Sequence, residues 1–321
     1  MEILQQIQSN LLSPIILSFF LGIFAALVKS DLRIPKQVHD TISIYLLFAI
    51  GLKGGVSLTT VHLSEVVHPA LATVALGIIT PILTFLVVRN IGRLSVVNSA
   101  AIAAHYGSVS VITFIACTTY LELHSIAHEG FIPSLVVMLE IPGVFVALSL
   151  VQLLKPGYES NFGRVAKEVL TSRTIMLLLG GLIIGYVSGP LQYAKVAPLF
   201  TDLFQGFLAL FLLEMGIVAF SSARELRSSG LFLVALGISM PIINGIIGIL
   251  LAKLAGLSLG GMVLLGTMAS SASYIAAPAA VRISLPEANP SLYLTPALVV
   301  TFPFNILFGI PLYFYIASRL V

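Results

Sequence analysis

NSAAIAAHYGSVSVIT (98–113) belongs to a hydrophobic segment long enough to span a membrane, yet Gly107, Ser108 and Ser110 stand at its middle. Small hydroxyl residues at that depth loosen helical hydrogen bonding and free backbone groups that lipid cannot satisfy. A second copy lies downstream. At a shift of 163 residues Ser108 falls on Ser271 and Ser110 on Ser273, inside TMASSASYIAAP (267–278), a span interrupted again by small polar residues and by Pro278. Two interrupted spans at matching positions of two halves point to the binding site of a secondary transporter.

Composition sets the class around that stretch. Of the 321 residues 58% are apolar and only 9% charged, whereas average usage is about a quarter charged. The apolar residues come in long blocks, as burial in lipid or among neighbouring helices requires. The net charge of +3 comes from scattered basic residues, so nucleic acid finds no electrostatic footprint. The single cysteine, Cys117, sits in an apolar run; it allows no intrachain disulfide and reads as a small packed residue. MEILQQIQSN (1–10) carries no basic residue ahead of the first apolar run, unlike a cleaved signal peptide, so that run is expected to be a retained span.

Ten candidate spans follow, near 11–28, 41–58, 69–88, 96–120, 131–154, 174–188, 198–220, 230–254, 259–283 and 292–318. Twelve of the sixteen Lys and Arg residues fall in odd-numbered connections, which predicts both termini outside and the central connection cytoplasmic. LATVALGIITPIL (71–83) and LFLVALGISMPII (231–243) share eight of thirteen positions at a shift of 160, and PSLVV (133–137) meets PALVV (296–300) at 163. The expected fold is therefore an all-α membrane protein of ten transmembrane helices. One five-span repeat occupies 1–154 and the second 174–321, and the odd span number turns the second copy upside down. Between them KPGYESNFGRVAKEVLTSR (155–173) reads as a linker or, alternatively, as a docking or regulatory surface.

Spans 4 and 9 are expected to be discontinuous and to cross near mid-membrane. The second half of each then starts just after its serine cluster, bringing two helix N-termini, each with about half a positive charge, to one point that suits an anion. The first halves end there with free carbonyls, which together with Ser or Thr hydroxyls suit a hard cation such as Na⁺. Neither GSVS (107–110) nor SSASY (270–274) contains a carboxylate, which argues against a proton-driven antiporter and for a small oxyanion balanced by a non-titrating cation. Serine clusters also serve as packing devices in membranes; their recurrence at equivalent positions favours the site. Glu140, Glu214, Lys53 and His105 are costly in lipid and are expected to face the protein interior, Lys53 and Glu214 as a bridge between spans 2 and 7, Glu140 as a candidate coupling-ion ligand. Asn98 or Asn305 could cap broken backbone. An intramembrane serine hydrolase using Ser108 or Ser110 with His105 lacks any signal beyond proximity in the chain. A channel or sensor without coupled transport is the other class, against which inverted broken helices discriminate.

SPIILSFFLGIFAALVKSDLRIPKQV (13–38), FAIGLKGGVSL (48–58), NSAAIAAHYGSVSVITF (98–114), VVMLEIPGVFVAL (136–148) and TMASSASYIAAPAAVR (267–282) together resemble the SbtA family of sodium-dependent bicarbonate transporters of cyanobacteria. The similarity covers nearly the whole chain and is carried by long stretches. It implies a plasma-membrane symporter that imports bicarbonate with Na⁺ as coupling ion, within an inorganic-carbon concentrating mechanism. It further implies a homotrimer with gate and core domains, and a soluble PII-like regulator, SbtB, docking on the cytoplasmic face. Carried onto this chain, the bicarbonate region is Gly107, Ser108, Val109 and Ser110 with Ser271, Ala272, Ser273 and Tyr274. The sodium set is Ala104, Tyr106, Ser108, Thr267, Ser270 and Ser271, and the regulator face Lys36, Arg89, Arg93, Arg224 and Arg227. The family's central loop is usually longer than KPGYESNFGRVAKEV (155–169), a departure that bears on regulation through that loop. The competing substrate is another small or organic anion, of the bile-acid-like or carboxylate kind.

Overall fold

The computed structural model describes residues 2–155 and 162–321, which are helical with no strand among them. Among the described residues eight helices are long and apolar enough to cross a membrane, and two shorter apolar ones, Pro14–Leu27 and Leu259–Ser270, lie where spans 1 and 9 are expected. In chain order the elements are α1 (Glu2–Leu11), α2 (Pro14–Leu27), α3 (Lys36–Leu58), α4 (Leu63–Asn90), α5 (Val96–Tyr106), α6 (Val111–Leu123), α7 (Ile132–Glu140) and α8 (Pro142–Leu154). They continue with α9 (Phe162–Leu170), α10 (Arg173–Tyr193), α11 (Phe204–Leu254), α12 (Leu259–Ser270), α13 (Ala276–Ser284) and α14 (Pro290–Ser318).

Three features depart from the sequence expectation. The central connection carries a helix of its own, α9, which buries Val165 and Val169 one turn apart and so is more than a plain linker. The connection between spans 7 and 8 is helical up to Gly230, whose φ of 81°, open to a residue without a Cβ, separates the two helices. α14 is threaded with π-helical turns at Pro296–Thr301 and Asn305–Gly309, because Pro296, Pro303 and Pro311 withhold backbone donors. One carbonyl in these turns, Ile306 O, accepts from the Asn10 amide of α1 at 2.8 Å.

Small residues bring helices together. α2 lies along the first part of α11 with Gly22 against Gly216, and α3 along α10 with Gly51 against Gly181; a Cβ on Gly51 would stand 2.9 Å from the Gly181 Cα. Polar side-chain contacts add to these: Arg173 Nη1 pairs with Asp40 at 2.6 Å and His39 Nδ1 hydrogen-bonds Glu214 at 2.8 Å. The expected Lys53–Glu214 bridge is therefore corrected. His39, about four turns nearer the α3 N-terminus than Lys53, takes Glu214, while Lys53 Nζ rests 4.8 Å above the Phe204 ring. A second group joins α4, α5 and α8, and a third joins the 230–254 part of α11, α12 and α14.

Candidate functional site

The two interrupted stretches meet. α5 ends at Tyr106, and Gly107 closes it by donating its N–H to Ala103 O at 2.8 Å. Gly107 lies hard against Pro81 and Gly143: a Cβ on Gly143 would fall 2.0 Å from the Gly107 carbonyl oxygen, so the approach at the turn needs glycine there. α6 restarts at Val111 with Ser110 as its N-cap, whose Oγ accepts from Thr113 N at 3.3 Å and from the Thr113 hydroxyl at 2.9 Å. In the other copy α12 stops at Ser270, Ser271 is extended (φ −82°, ψ 163°), and α13 begins at Ala276. Ser273 Oγ accepts from Ala277 N at 3.2 Å and so satisfies a first-turn donor of α13, whose N-cap position is Ile275.

The turns are bonded to each other, antiparallel. Ser110 N donates to Ser271 Oγ at 2.8 Å, and Ser273 N donates to His105 O at 2.8 Å. Freed backbone is thus satisfied across the crossing, as burial demands. Asn305 caps the broken end as expected of one amide, donating to Ser270 O at 3.0 Å while its Oδ1 accepts from the Tyr313 hydroxyl at 3.0 Å. Asn98 serves elsewhere, accepting from Asn289 N at 2.9 Å.

Beside the crossing is a cavity bounded by Val109, Ser110, Ser273, Tyr274, Glu140 and Ser43, with about 10 Å³ of room for a water-sized body. That is roughly the space of one water molecule. Its polar walls come from four parts of the chain. Glu140, 2% exposed, closes α7 and accepts a hydrogen bond from the Ser108 hydroxyl at 2.5 Å; no basic side chain pairs with it among the described residues. Ser43 of α3 has a buried Oγ with no partner among the described residues, and Thr174 of α10 also lines the space.

Of the eight residues expected at the anion site, Val109, Ser110, Ser273 and Tyr274 line the cavity directly. Ser108 and Ser271 stand behind them through Glu140 and Ser110, Gly107 supplies the close approach to Gly143, and Ala272 is buried in the second turn. Several hydroxyls of the expected sodium set are engaged outside the cavity. Tyr106 Oη pairs with Thr301 Oγ1 at 2.7 Å, Thr267 donates to Cys117 Sγ at 3.3 Å, and Ser270 donates to Thr267 O at 2.9 Å. Ala104 is fully buried between helices. His105 turns its Nδ1 to Ala101 O at 2.6 Å and stacks on Tyr293, so neither serine has it as a base. Lys36, Arg89 and Arg93 are exposed; the side chains of Arg224 and Arg227 lie outside the described residues. Ser43 and Thr174 were not legible as site residues, since an isolated hydroxyl in a span has no pattern to mark it.

A family model described as the Na⁺-dependent bicarbonate transporter superfamily matches residues 14–318, from α2 to the end of α14. No curated protein matches the chain.

Proposed function

The chain belongs to the Na⁺-dependent bicarbonate transporter superfamily, and we propose that it is a secondary transporter importing bicarbonate in symport with Na⁺ through the Ser110–Ser273 crossing. The observation that carries this reading is a buried carboxylate, Glu140, in the wall of a cavity capped by two helix N-termini. Each such end contributes up to about 2 kcal/mol toward a partly buried anion. Withdrawing an ion from water costs several kcal/mol, so two helix ends do not hold an anion unaided, and next to a carboxylate they hold it less. A cation at Glu140 reverses the balance. Na⁺ held by Glu140 and nearby hydroxyl and carbonyl oxygens would complete the anion site, so bicarbonate binds only after it and the two move together. The room of about one water molecule argues against a bulky carboxylate, and bicarbonate beside Na⁺ also requires the walls to draw apart.

The finer architecture belongs to the same reading. Spans 1–5 and 6–10 form two inverted repeats; supporting this, α2 pairs with span 7 as α10 pairs with α3, and α4–α5–α8 is matched by 230–254, α12 and α14. The group of α2, α3, α10 and span 7 is the gate, and the crossing belongs to the core. Resemblance supports the plasma membrane, a homotrimer, and an SbtB-type regulator on the cytoplasmic face. Labelled bicarbonate uptake by reconstituted vesicles is expected to require an inward Na⁺ gradient. Equal uptake with K⁺ would remove the symport, and displacement of bicarbonate by a bile-acid-like carboxylate would reassign the substrate.

A further inference from the structure

The crossing cavity is the middle one of three along α3. At one end about 620 Å³ is bounded by Lys36, Ser222, Tyr274, Ile275 and Arg282. At the other about 290 Å³ is bounded by Lys53, Ser57, Thr118, Glu122, His128 and Tyr193. α3 gives Lys36 to the first, Ser43 and Leu47 to the middle, and Ile50, Lys53, Gly54, Val56 and Ser57 to the last. Steps of seven, four, three, four and three residues keep Lys36, Ser43, Leu47, Ile50, Gly54 and Ser57 on one helical face, with Lys53 beside it and Val56 off it. At 1.5 Å per residue the stripe is about 30 Å long, the thickness of a bilayer core. One face of one helix therefore borders all three cavities.

Lys53 stands beside that stripe, half-buried, in the cavity remote from Lys36. An ammonium within a span is costly and is ordinarily matched by a carboxylate. Lys53 has none within salt-bridge distance among the described residues; Glu214 lies with His39, about four turns away along α3. The Phe204 ring under its Nζ holds the ammonium in place without neutralising it. The other titratable groups of the cavity are His128, Tyr193 and Glu122, the last exposed at the rim. We propose that this cavity is the outer vestibule for substrate, and that the Lys53 ammonium collects the small oxyanion there before it passes to the Ser110–Ser273 site. The inference rests on the transport reading, and its outward placement on the distribution of basic residues. Focused positive charge in a cleft raises the local concentration of an anion and falls away with salt.

The test uses the full chain in vesicles and in intact cells. Lys53→Gln is expected to raise the KM for bicarbonate about tenfold and to flatten its ionic-strength dependence, with the maximal rate and the Na⁺ dependence kept. Lys53→Arg should keep a KM near that of the unaltered protein. Lys53→Cys, treated from outside the cell with an aminoethyl methanethiosulfonate that restores an ammonium, should recover the lower KM. Unchanged KM in Lys53→Gln, or no recovery on aminoethylation, would overturn the vestibule while leaving the symport standing. Absence of bicarbonate uptake by the unaltered protein would remove both.

Discussion

At the scale of single residues the account turns on Glu140 and on the two serines that satisfy first-turn donors of the restarted helices. Glu140→Gln removes the charge that a cation would neutralise, while the Ser108 hydrogen bond keeps an acceptor. Breaking a buried charge pair costs about 3–5 kcal/mol, so the Na⁺ concentration for half-maximal uptake is expected to rise by at least about 100-fold. An unchanged Na⁺ dependence would take the coupling ion away from this carboxylate. Ser273→Leu fills the little room the cavity has and deletes the acceptor for Ala277 N, so uptake should vanish while folded protein remains by size-exclusion profile. Normal transport in this variant would move the site. Ser110 and Ser273 were legible in the sequence because they recur at a fixed shift within otherwise apolar spans. Ser43 was not, because its one hydroxyl gains meaning only when α3 is laid beside the crossing.

Among elements, the α8 start packs on the turn where the fourth span breaks. Pro142 and Gly143 press on Gly77 and Gly107, so α4, α5 and α8 meet at the turn and Glu140 is delivered beside Ser108. Gly143→Ala would put a methyl 2.0 Å from the Gly107 carbonyl. Overpacking of this kind costs about 1–3 kcal/mol, against the ~1 kcal/mol that alanine gains over glycine in a helix, so a lower thermal midpoint and impaired uptake are expected. Gly180→Ala in α10 meets nothing within 4 Å and should be neutral or slightly stabilising. Equal behaviour of the two would mean that the close approach at the turn does not need glycine. The helices themselves were readable from apolar blocks, but α9 was not: its nine residues are too few and too polar to stand out, and two buried valines hold it.

For the whole molecule, a ten-span chain keeps both ends on one face of the membrane. Epitope tags at the two termini are expected to be digested together by protease added outside intact cells; digestion of only one would break the span count on which the inverted repeat depends. The contacts of α2 with span 7 and of α10 with α3 agree with the proposed repeat; Gly22 and Gly216 both open a G-I-x-A tetrad, but that such glycines meet needs the helices laid side by side. The two unwound, hydroxyl-bearing turns meet at one place, and the proposed repeat accounts for that meeting. The most direct measurement is a cryo-EM map of the protein in Na⁺ and bicarbonate. The account predicts compact density in the space bounded by Ser110, Ser273, Tyr274 and Glu140, with the backbone non-helical at 107–110 and 271–275. Continuous helix through either stretch, or substrate density only elsewhere, would contradict it.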